Sequence, residues 1–336
     1  MRVDLTLKTL LAALALGLVM MFSPPAGAQN NNFNPTTSAV KEEALLNALK
    51  QGGAQQIDGR ISIPDGKAST LIRPAGREWR EFHQGTMHLI GAVAIIGMLA
   101  LLTVFYLIRG QIKVDAGLSG QTITRFGAFE RFMHWMTAMC FIVLALSGIN
   151  VTFGKILLLP IIGPEAFTTL SIGAKYAHNY LAFPFMAGII LMLLVWIKDN
   201  IPNGGDLKWF AAGGGVIGQG HPPAKRFNGG QKLIFWSVVL GGIALSVSGI
   251  YMLFPYTAGG VINLQFWNVI HGIVSMVLIA MMLAHAYIGS VGMEGAFDAM
   301  GSGEVDLNWA KEHHSIWVEQ EMARGIKPVR GMQPAE

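Results

Sequence analysis

The chain contains very little cysteine and very little charge, and both shortages narrow what it can do. Cys140 is the only cysteine among 336 residues, which excludes an intrachain disulfide and a cysteine-ligated iron–sulfur cluster. We interpret this thiol as a small apolar packing group. Charged residues make up 13% of the chain, against about 25% in ordinary soluble domains, and 52% of the residues are hydrophobic. This composition predicts an integral membrane protein.

Five apolar runs lack Asp, Glu, Lys and Arg and are long enough to cross a bilayer. They lie at about 85–108, 132–153, 178–197, 233–254 and 266–292. Ion-coupled carriers and pumps usually need charged groups within their spans, so these runs argue against a transporter. The chain also shows no nucleophile–base motif and no carboxylate pair in a plausible pocket. Its net charge of +4 lies mostly in loops and gives no reason to expect a nucleic-acid partner.

The N-terminus carries a shorter apolar run, residues 10–22, which follows Arg2 and Lys8 and precedes an A-x-A pattern. This organisation is typical of a secretory signal peptide, which we assign to residues 1–28. An uncleaved anchor is the alternative, and either one leaves the following residues on the outer side. Residues 29–84 are polar and too poor in aliphatic side chains for an independent core. We expect them to form a periplasmic arm that docks on a partner.

Counting the spans from this outer start places the C-terminus in the cytoplasm. The inner segments 109–131, 198–232 and 293–336 hold four, five and four Lys or Arg residues. The short outer loops 154–177 and 255–265 hold two and none, in agreement with the positive-inside rule. The sequence therefore predicts a multi-pass protein of the bacterial inner membrane with a solvated, mostly helical cytoplasmic tail.

Four histidines lie within or at the ends of the apolar runs: His134, His178, His271 and His285. A buried imidazole in a membrane is costly unless it is bonded, so each is a candidate functional residue. His271 and His285 are 14 residues apart, which is close to four helical turns. Both therefore leave the same helix face, roughly 21 Å apart along the axis, a distance that is most of the hydrocarbon thickness. For any one of them alone, a hydrogen-bonded structural role is an equally good interpretation.

The direction of each span gives the depth of its histidine. His134 and His285 are expected near the inner face, and His178 and His271 near the outer face. Two depth-matched pairs suit bis-imidazole coordination of two low-spin haems, whereas a zinc ion would need four ligands at one depth. Gly148 follows His134 by 14 residues and shares its face at the outer depth. A glycine there admits a macrocycle or, equally well, allows close helix packing.

The other five histidines are given weaker roles. His83 and His88 are five residues apart near the outer end of the first span, so they point to different faces and are interpreted as structural. His221 lies in a long Gly-rich loop, and His313 and His314 lie in the tail. We expect these three to be solvated or to contact partners.

Seven segments are distinctive when they are read in order along the chain. They are RFGAFERFMHW, FIVLALSGI, AKYAHNYLAFPFMAG, IPNGGDLKWF, FNGGQKLIFWS, NVIHGIVSMVLIAMMLAHAYIG and NWAKEHHSIW. Together they resemble the membrane cytochrome b (gamma) subunits of respiratory formate dehydrogenases, over about residues 122–320. The resemblance implies an all-α membrane protein with a transmembrane four-helix dihaem bundle at 122–300. An additional N-terminal transmembrane helix at 85–109 precedes the bundle, and a cytoplasmic tail at 301–336 follows it.

The resemblance also implies partners and cofactors. In such a complex a molybdenum or tungsten pterin subunit oxidises formate on the outer side, and an iron–sulfur subunit passes the electrons on. The outer and then the inner haem b, held by the two histidine pairs, carry them to a membrane quinone. The residues that match the family's quinone pocket are Asn228, Gly230, Gln231 and His285. No formate-oxidising site is expected on this chain itself.

Two alternatives stay open from the sequence. The first is the related cytochrome b of nickel–iron hydrogenase, which has similar haem spacing. The NGGQK loop and the HH-containing tail favour formate dehydrogenase. The second is a non-redox membrane anchor or assembly protein with incidental histidines, which would be colourless where a dihaem cytochrome is red.

Overall fold

A computed structural model describes residues 74–215 and 220–330, which contain nine α-helices and three short strands. In chain order these are α1 (Pro74–Glu81), α2 (Met87–Arg109), β1 (Gln121–Thr124), α3 (Ala128–Leu157), α4 (Leu159–Trp196), α5 (Gly204–Ala211), α6 (Gly229–Leu253), α7 (Val261–Tyr287), α8 (Asp298–Gly301), β2 (Glu304–Asp306), α9 (Leu307–Ala323) and β3 (Val329–Arg330). The chain divides into two units between Glu81 and Phe82, and α1 is the described part of the first unit. The predicted signal peptide at 1–28 and most of the predicted arm lie outside the described residues.

Within the described part of the chain, five helices are long and apolar enough to cross a membrane, and they include α2, α3, α4, α6 and α7. Each of them leaves large apolar side chains uncovered by the rest of the protein. Examples, one from each helix, are Leu101, Leu146, Ile190, Leu240 and Val277. Exposed apolar surface of this extent is stable only against lipid. The prediction of an all-α, multi-pass membrane protein is therefore confirmed.

Helix α4 is much longer than the apolar run that predicted it. Only Leu158 separates it from α3, and the segment 154–177, which was predicted as an outer loop, is helical. Gly163 interrupts α4 with a φ of 78°, and Pro164 begins the regular helix after it. A positive φ favours glycine, and proline suits the first turn of a helix because it has no N–H to leave unpaired. The prediction of a loop was wrong because the first part of α4 is too polar to be identified as part of a spanning helix from its hydropathy.

One end of the long helices carries a polar structure that we call the cap. It consists of residues 110–127, 198–215, 220–228 and 293–330. Its sheet has the antiparallel order β2–β1–β3, in which Thr122 lies opposite Asp306 on one side and opposite Val329 on the other. Ile123 and Val305 point into the core of the cap and are 1% and 0% exposed.

The tail is part of this cap, which corrects the prediction of a solvated helix. Trp309 and Trp317 of α9 are buried. The backbone N–H of Trp317 donates to the carbonyl of Ala224 at 3.3 Å, and Nδ1 of His314 lies 2.8 Å from the carbonyl of Lys225. These contacts fix α9 against the loop before α6. The sequence-based expectation missed them because the partners lie about 90 residues apart.

The cap joins the same end of all five long helices. Helices α2, α4 and α7 end there, and α3 and α6 begin there. The backbone of Ile112, just after α2, exchanges hydrogen bonds of 2.9 Å with Gly292 and Glu294, just after α7. The long helices therefore alternate in direction, as the span count requires. Depth along the bundle can be measured from the cap.

Candidate functional site

The structure brings together the pair of histidines far from the cap. His178 of α4 and His271 of α7 have ring centroids 6.1 Å apart, with the ring planes inclined by 57°. Nδ1 of His178 lies 2.8 Å from the hydroxyl of Ser147 in α3. Nδ1 of His271 lies 3.0 Å from the hydroxyl of Ser248 in α6. Each imidazole is thus held by a serine from a neighbouring helix.

The two serines also determine which ring nitrogen is free. The Ser147 hydroxyl donates to the carbonyl of Val143 at 2.7 Å, and that of Ser248 donates to the carbonyl of Ala244 at 2.6 Å. A hydroxyl has one hydrogen, so a serine that donates to its carbonyl accepts from the histidine Nδ1–H. In that tautomer the opposite nitrogen, Nε2, carries the lone pair. This is the arrangement by which a neighbouring acceptor prepares an imidazole to bind a metal.

The pair nearer the cap is also brought together. His134 of α3 and His285 of α7 have ring centroids 6.1 Å apart, with an interplanar angle of 61°. Nδ1 of His134 is buried and has no hydrogen-bond partner. Trp135 packs edge-on against the His134 ring. An imidazole nitrogen left without a partner in this setting fits a site completed by a bound group.

Both pairs have the spacing that one haem iron requires. A metal between two imidazoles lies about 2.0–2.1 Å from each ligating nitrogen. When the two bonds are in line, adding the distance from each nitrogen to the centre of its ring puts the two ring centroids roughly 6 Å apart. Both observed separations agree with this value. The two pairs lie at different depths, because α7 carries one member of each, 14 residues apart. The residues present therefore fit two bis-imidazole haems.

Glycine lies beside both rings of the pair far from the cap. A Cβ at Gly148 would meet Cε1 of His178 at 3.9 Å, and a Cβ at Gly249 would meet Cε1 of His271 at 3.4 Å. Gly148 was predicted to lie here, but Gly249 and the two serines were not. The sequence did carry a signal for them, because Ser-Gly-Ile occurs at 147–149 and again at 248–250.

Three of the four residues predicted to bind quinone lie at the start of α6, and two of these form a capping box, whereas His285 lies on α7. The Asn228 side-chain oxygen accepts from the Gln231 backbone N–H at 3.0 Å, and the Gln231 side-chain oxygen accepts from the Asn228 backbone N–H at 3.2 Å. The NH2 groups, which a quinone carbonyl would need as donors, take no part in this box. A Cβ at Gly230 would meet the ring of Trp209 at 2.8 Å, so the space beside this glycine is filled by α5.

Arg125 is a buried residue beside this capping box that the sequence did not single out. Its Nη2 donates to the carbonyl of Arg226 at 2.6 Å and to the side-chain oxygen of Gln231 at 3.4 Å. Its guanidinium also lies over the rings of Trp309 and Trp317, 5.5 and 5.1 Å from their centroids. Burial, together with the positive charge of Arg226, lowers the pKa of Arg125 to about 9. It therefore stays charged at pH 7 and couples the tail to the start of α6.

A second set of charged side chains, centred on Arg226, links the loop before α6 to α3 and to the segment after α4 at the same end. Arg226 Nη2 donates to both carboxylate oxygens of Glu130 at 2.7 and 2.9 Å, and Nη1 donates to Asp199 at 3.0 Å. Glu130 also accepts from Nε1 of Trp196 at 2.7 Å. A cavity of about 360 Å³ beside this ion pair is lined by Arg226, Lys198 and Lys232 among others, and by none of the predicted quinone residues.

Of His221, His313 and His314, which were expected to be solvated or to contact partners, the last two are buried within this chain. His313 is 8% exposed and His314 is 0% exposed. Burial lowers the pKa of His313 to about 4 and the pKa of His314 well below its usual value, so both rings are neutral at pH 7. His221 lies 5.9 Å from His313 between ring centroids. His88 packs on the ring of Phe153, as a structural residue would.

Comparison with known proteins agrees with this geometry. The model of the prokaryotic cytochrome b561 family matches residues 125–303, which is more than half of the chain. The chain belongs to this family. The matched region contains all four paired histidines and the start of α6.

Relatives of this cytochrome are found among named respiratory subunits. The chain is 30% identical over 203 residues to the formate dehydrogenase cytochrome b556(fdo) subunit of Escherichia coli K12, covering 59% of this chain and 93% of that protein. It is 29% identical, over 59% of this chain and 91% of that protein, to the nitrate-inducible cytochrome b556(Fdn) subunit of the same organism. A formate dehydrogenase cytochrome b556 subunit of Haemophilus influenzae is 30% identical over 57% of this chain and 80% of its own length. The resemblance to formate dehydrogenase cytochromes is confirmed.

Proposed function

We propose that this protein is the dihaem cytochrome b subunit of a formate dehydrogenase and passes electrons from an iron–sulfur subunit to a membrane quinone. The observation that carries the proposal is the pair of facing histidines at each of two depths, each with ring centroids 6.1 Å apart. The names of the related subunits support formate as the source of the electrons. The catalytic pterin subunit and the iron–sulfur subunit are the partners that this function needs.

In this proposal the four histidines supply the axial ligands of two haems b. His178 and His271 hold the one far from the cap, and His134 and His285 hold the one near it. When bound, the haems supply one-electron transfer across the membrane. Ser147 and Ser248 orient the imidazoles by accepting from Nδ1–H, which leaves Nε2 for the iron and increases the basicity of the ligand.

We also propose that the cap faces the cytoplasm of a bacterial inner membrane, so that the iron–sulfur subunit docks at the opposite, outer end. The segments that form or enter the cap are the ones rich in Lys and Arg, and such residues mark the inner side. Electrons would then enter at His178 and His271 and leave beside His285. Protons for quinone reduction would come from the cap side.

The test of the proposal is which substrate reduces the haems. In the purified native complex we expect formate, and not hydrogen gas, to produce the reduced α-band of both haems within the turnover time of the enzyme. An added quinone should then reoxidise them. Reduction by hydrogen alone would assign the chain to a nickel–iron hydrogenase. If the purified chain contained no haem, its function would be that of a membrane anchor.

Quinone reduction is proposed to occur at the start of α6, beside Asn228, Gly230, Gln231 and His285. Asn228→Leu would remove the helix cap as well as a donor, so the sharper variant is Asn228→Asp. It keeps the side-chain oxygen that caps α6 and replaces the NH2 donor by a second, negatively charged oxygen. A hydrogen bond is worth about 0.5–1.5 kcal/mol net, so quinone affinity should fall several-fold to about tenfold. The measurement is the KM for quinone with formate as donor.

Asn203→Asp is the matched control, because Asn203 caps α5 through its side-chain oxygen in the same way. It should leave the KM for quinone unchanged. In the Asn228→Asp variant formate should still reduce both haems at the normal rate, since the change lies downstream of them. Slower haem reduction with normal reoxidation would mean that the quinone binds elsewhere, near His178 and His271.

A further inference from the structure

Three side chains that bind metals well meet in the cap, outside the proposed haem-binding region, and a fourth lies beside one of them. Asp115 follows α2, His221 lies in the loop before α6, and Glu312 and His313 are adjacent on α9. The potential ligand atoms of His221, Glu312 and His313 all lie within 4.8 Å of one another. Asp115 adds a carboxylate oxygen 2.8 Å from Nε2 of His221. The set contains two imidazoles and two carboxylates.

One oxygen of this cluster is buried without a donor. Glu312 has a side chain that is 7% exposed, and its Oε2 accepts from the backbone N–H of Asp115 at 2.9 Å. Its Oε1 is buried and has no hydrogen-bond partner. This oxygen points towards both imidazoles, 3.5 Å from Nε2 of His221 and 3.8 Å from Nε2 of His313. A buried carboxylate oxygen in this state needs a cation or a donor.

Two distances between the potential ligand atoms are close to those of a four-coordinate metal. Bonds of about 2.0–2.2 Å in a tetrahedral zinc site put neighbouring ligand atoms roughly 3.3 Å apart. The two distances from Glu312 Oε1 are within about half an ångström of that value. The 2.8 Å contact between His221 and Asp115 is a hydrogen bond that would lengthen by a similar amount when a cation enters. Imidazole and carboxylate together suit a borderline metal ion such as Zn²⁺.

We propose that His221, Glu312 and His313 bind one divalent cation of the zinc class in the cap, with the fourth position taken by water or by the exposed carboxylate of Asp115 beside His221. The cation joins α9 to the loop before α6, 91 residues away in the sequence. The site stands independently of the proposed redox function, because none of its residues belongs to the histidine pairs.

The test is zinc binding by the full-length chain purified in detergent. Zinc and iron are measured separately by mass spectrometry, so the haem does not interfere. We expect about one zinc per chain after a brief chelator wash, and a Kd for Zn²⁺ below about 1 µM by titration of the chelator-stripped protein. Glu312→Gln and His221→Ala should each weaken zinc binding by roughly 100-fold or more, because each removes a direct ligand.

Glu319→Gln is the matched control, because Glu319 is an exposed carboxylate on the same helix. It should bind zinc like the unchanged protein. Equal zinc contents in the Glu312→Gln and Glu319→Gln variants would overturn the proposal, since the metal would then be adventitious. If the His221→Ala chain does not fold, the titration of the stripped, unchanged protein decides. A Kd above about 100 µM there would exclude a resident metal.

Discussion

We expect the replacement of His271 by alanine to remove the haem proposed far from the cap and to leave the haem proposed near the cap in place. The change takes away one of two axial ligands, and alanine offers the iron nothing in return. His134 and His285 remain 6.1 Å apart between ring centroids, so the second site keeps both of its ligands. The pyridine haemochrome assay on purified protein should fall from about two haems per chain to about one.

Ser248→Ala is the control that distinguishes the loss of an axial ligand from the loss of the hydrogen bond that orients it. It removes the hydroxyl that accepts from His271 Nδ1–H and leaves the imidazole itself. Both haems should remain, but the midpoint potential of the affected haem should rise, because the less basic ligand stabilises oxidised iron less. A His271→Ala protein that still holds two haems would contradict the assignment. So would a Ser248→Ala protein that loses as much haem as His271→Ala.

Arg226→Met destabilises the end of the bundle beside the cap. Arg226 satisfies both oxygens of Glu130, which is 16% exposed, and one oxygen of Asp199. Removing one partner of a fully buried ion pair costs about 3–5 kcal/mol, but Arg226 itself is 25% exposed and solvent screens part of the charge. We therefore expect a loss of about 1–3 kcal/mol. The measurement is the thermal unfolding temperature of the detergent-solubilised protein, which should drop by several degrees.

Lys198→Met provides the comparison for Arg226→Met. Lys198 lines the same cavity but is exposed, so its loss should change the unfolding temperature by no more than about a degree. Equal shifts of the unfolding temperature in the two variants would show that the loss of any positive charge at this end destabilises the protein. The pairing of Arg226 with Glu130 would then not be the cause.

The membrane-spanning part of this fold could be predicted from the sequence because one physical requirement dominates it. Lipid demands long apolar runs with every backbone group bonded internally, and five such runs were visible. The helix ends were harder to predict. α4 begins well before its apolar run, because a helix outside the hydrocarbon needs no hydropathy. The break at Gly163 could be located only by its backbone conformation.

The cap could not be predicted, since its order comes from contacts between distant segments. Strands of four, three and two residues have too little pattern to detect. They are stable because β1 pairs on both sides and covers a buried core. The same tertiary packing buried His313 and His314, which looked like solvated tail residues. Local sequence carries no signal for such burial.

The candidate site was predictable where one helix supplied the geometry. The 14-residue spacing of His271 and His285 and the alternating spans were enough to pair each with the histidine whose ring centroid lies 6.1 Å away. The supporting serines were missed because a serine in a membrane helix has many ordinary uses. The quinone site stays a prediction, and two of its residues, Asn228 and Gln231, use their side-chain oxygens to cap α6. The sequence alone does not show that the oxygens of these side chains cap the helix while their NH2 groups take no part in the capping box.

Helix α7 contributes one histidine to each pair, whereas α3 and α4 contribute to one pair each. A small rotation or slide of α7 would therefore change the ligand geometry at both depths together. Substitutions beside His134 on α3 would act on the pair near the cap, and those beside His178 on α4 would act on the other pair. Helix α3 reaches the far pair as well, through Ser147 and Gly148, so only its end near the cap is specific for one pair. A change in the position of α7 cannot be confined to one pair, because its backbone carries a histidine of each.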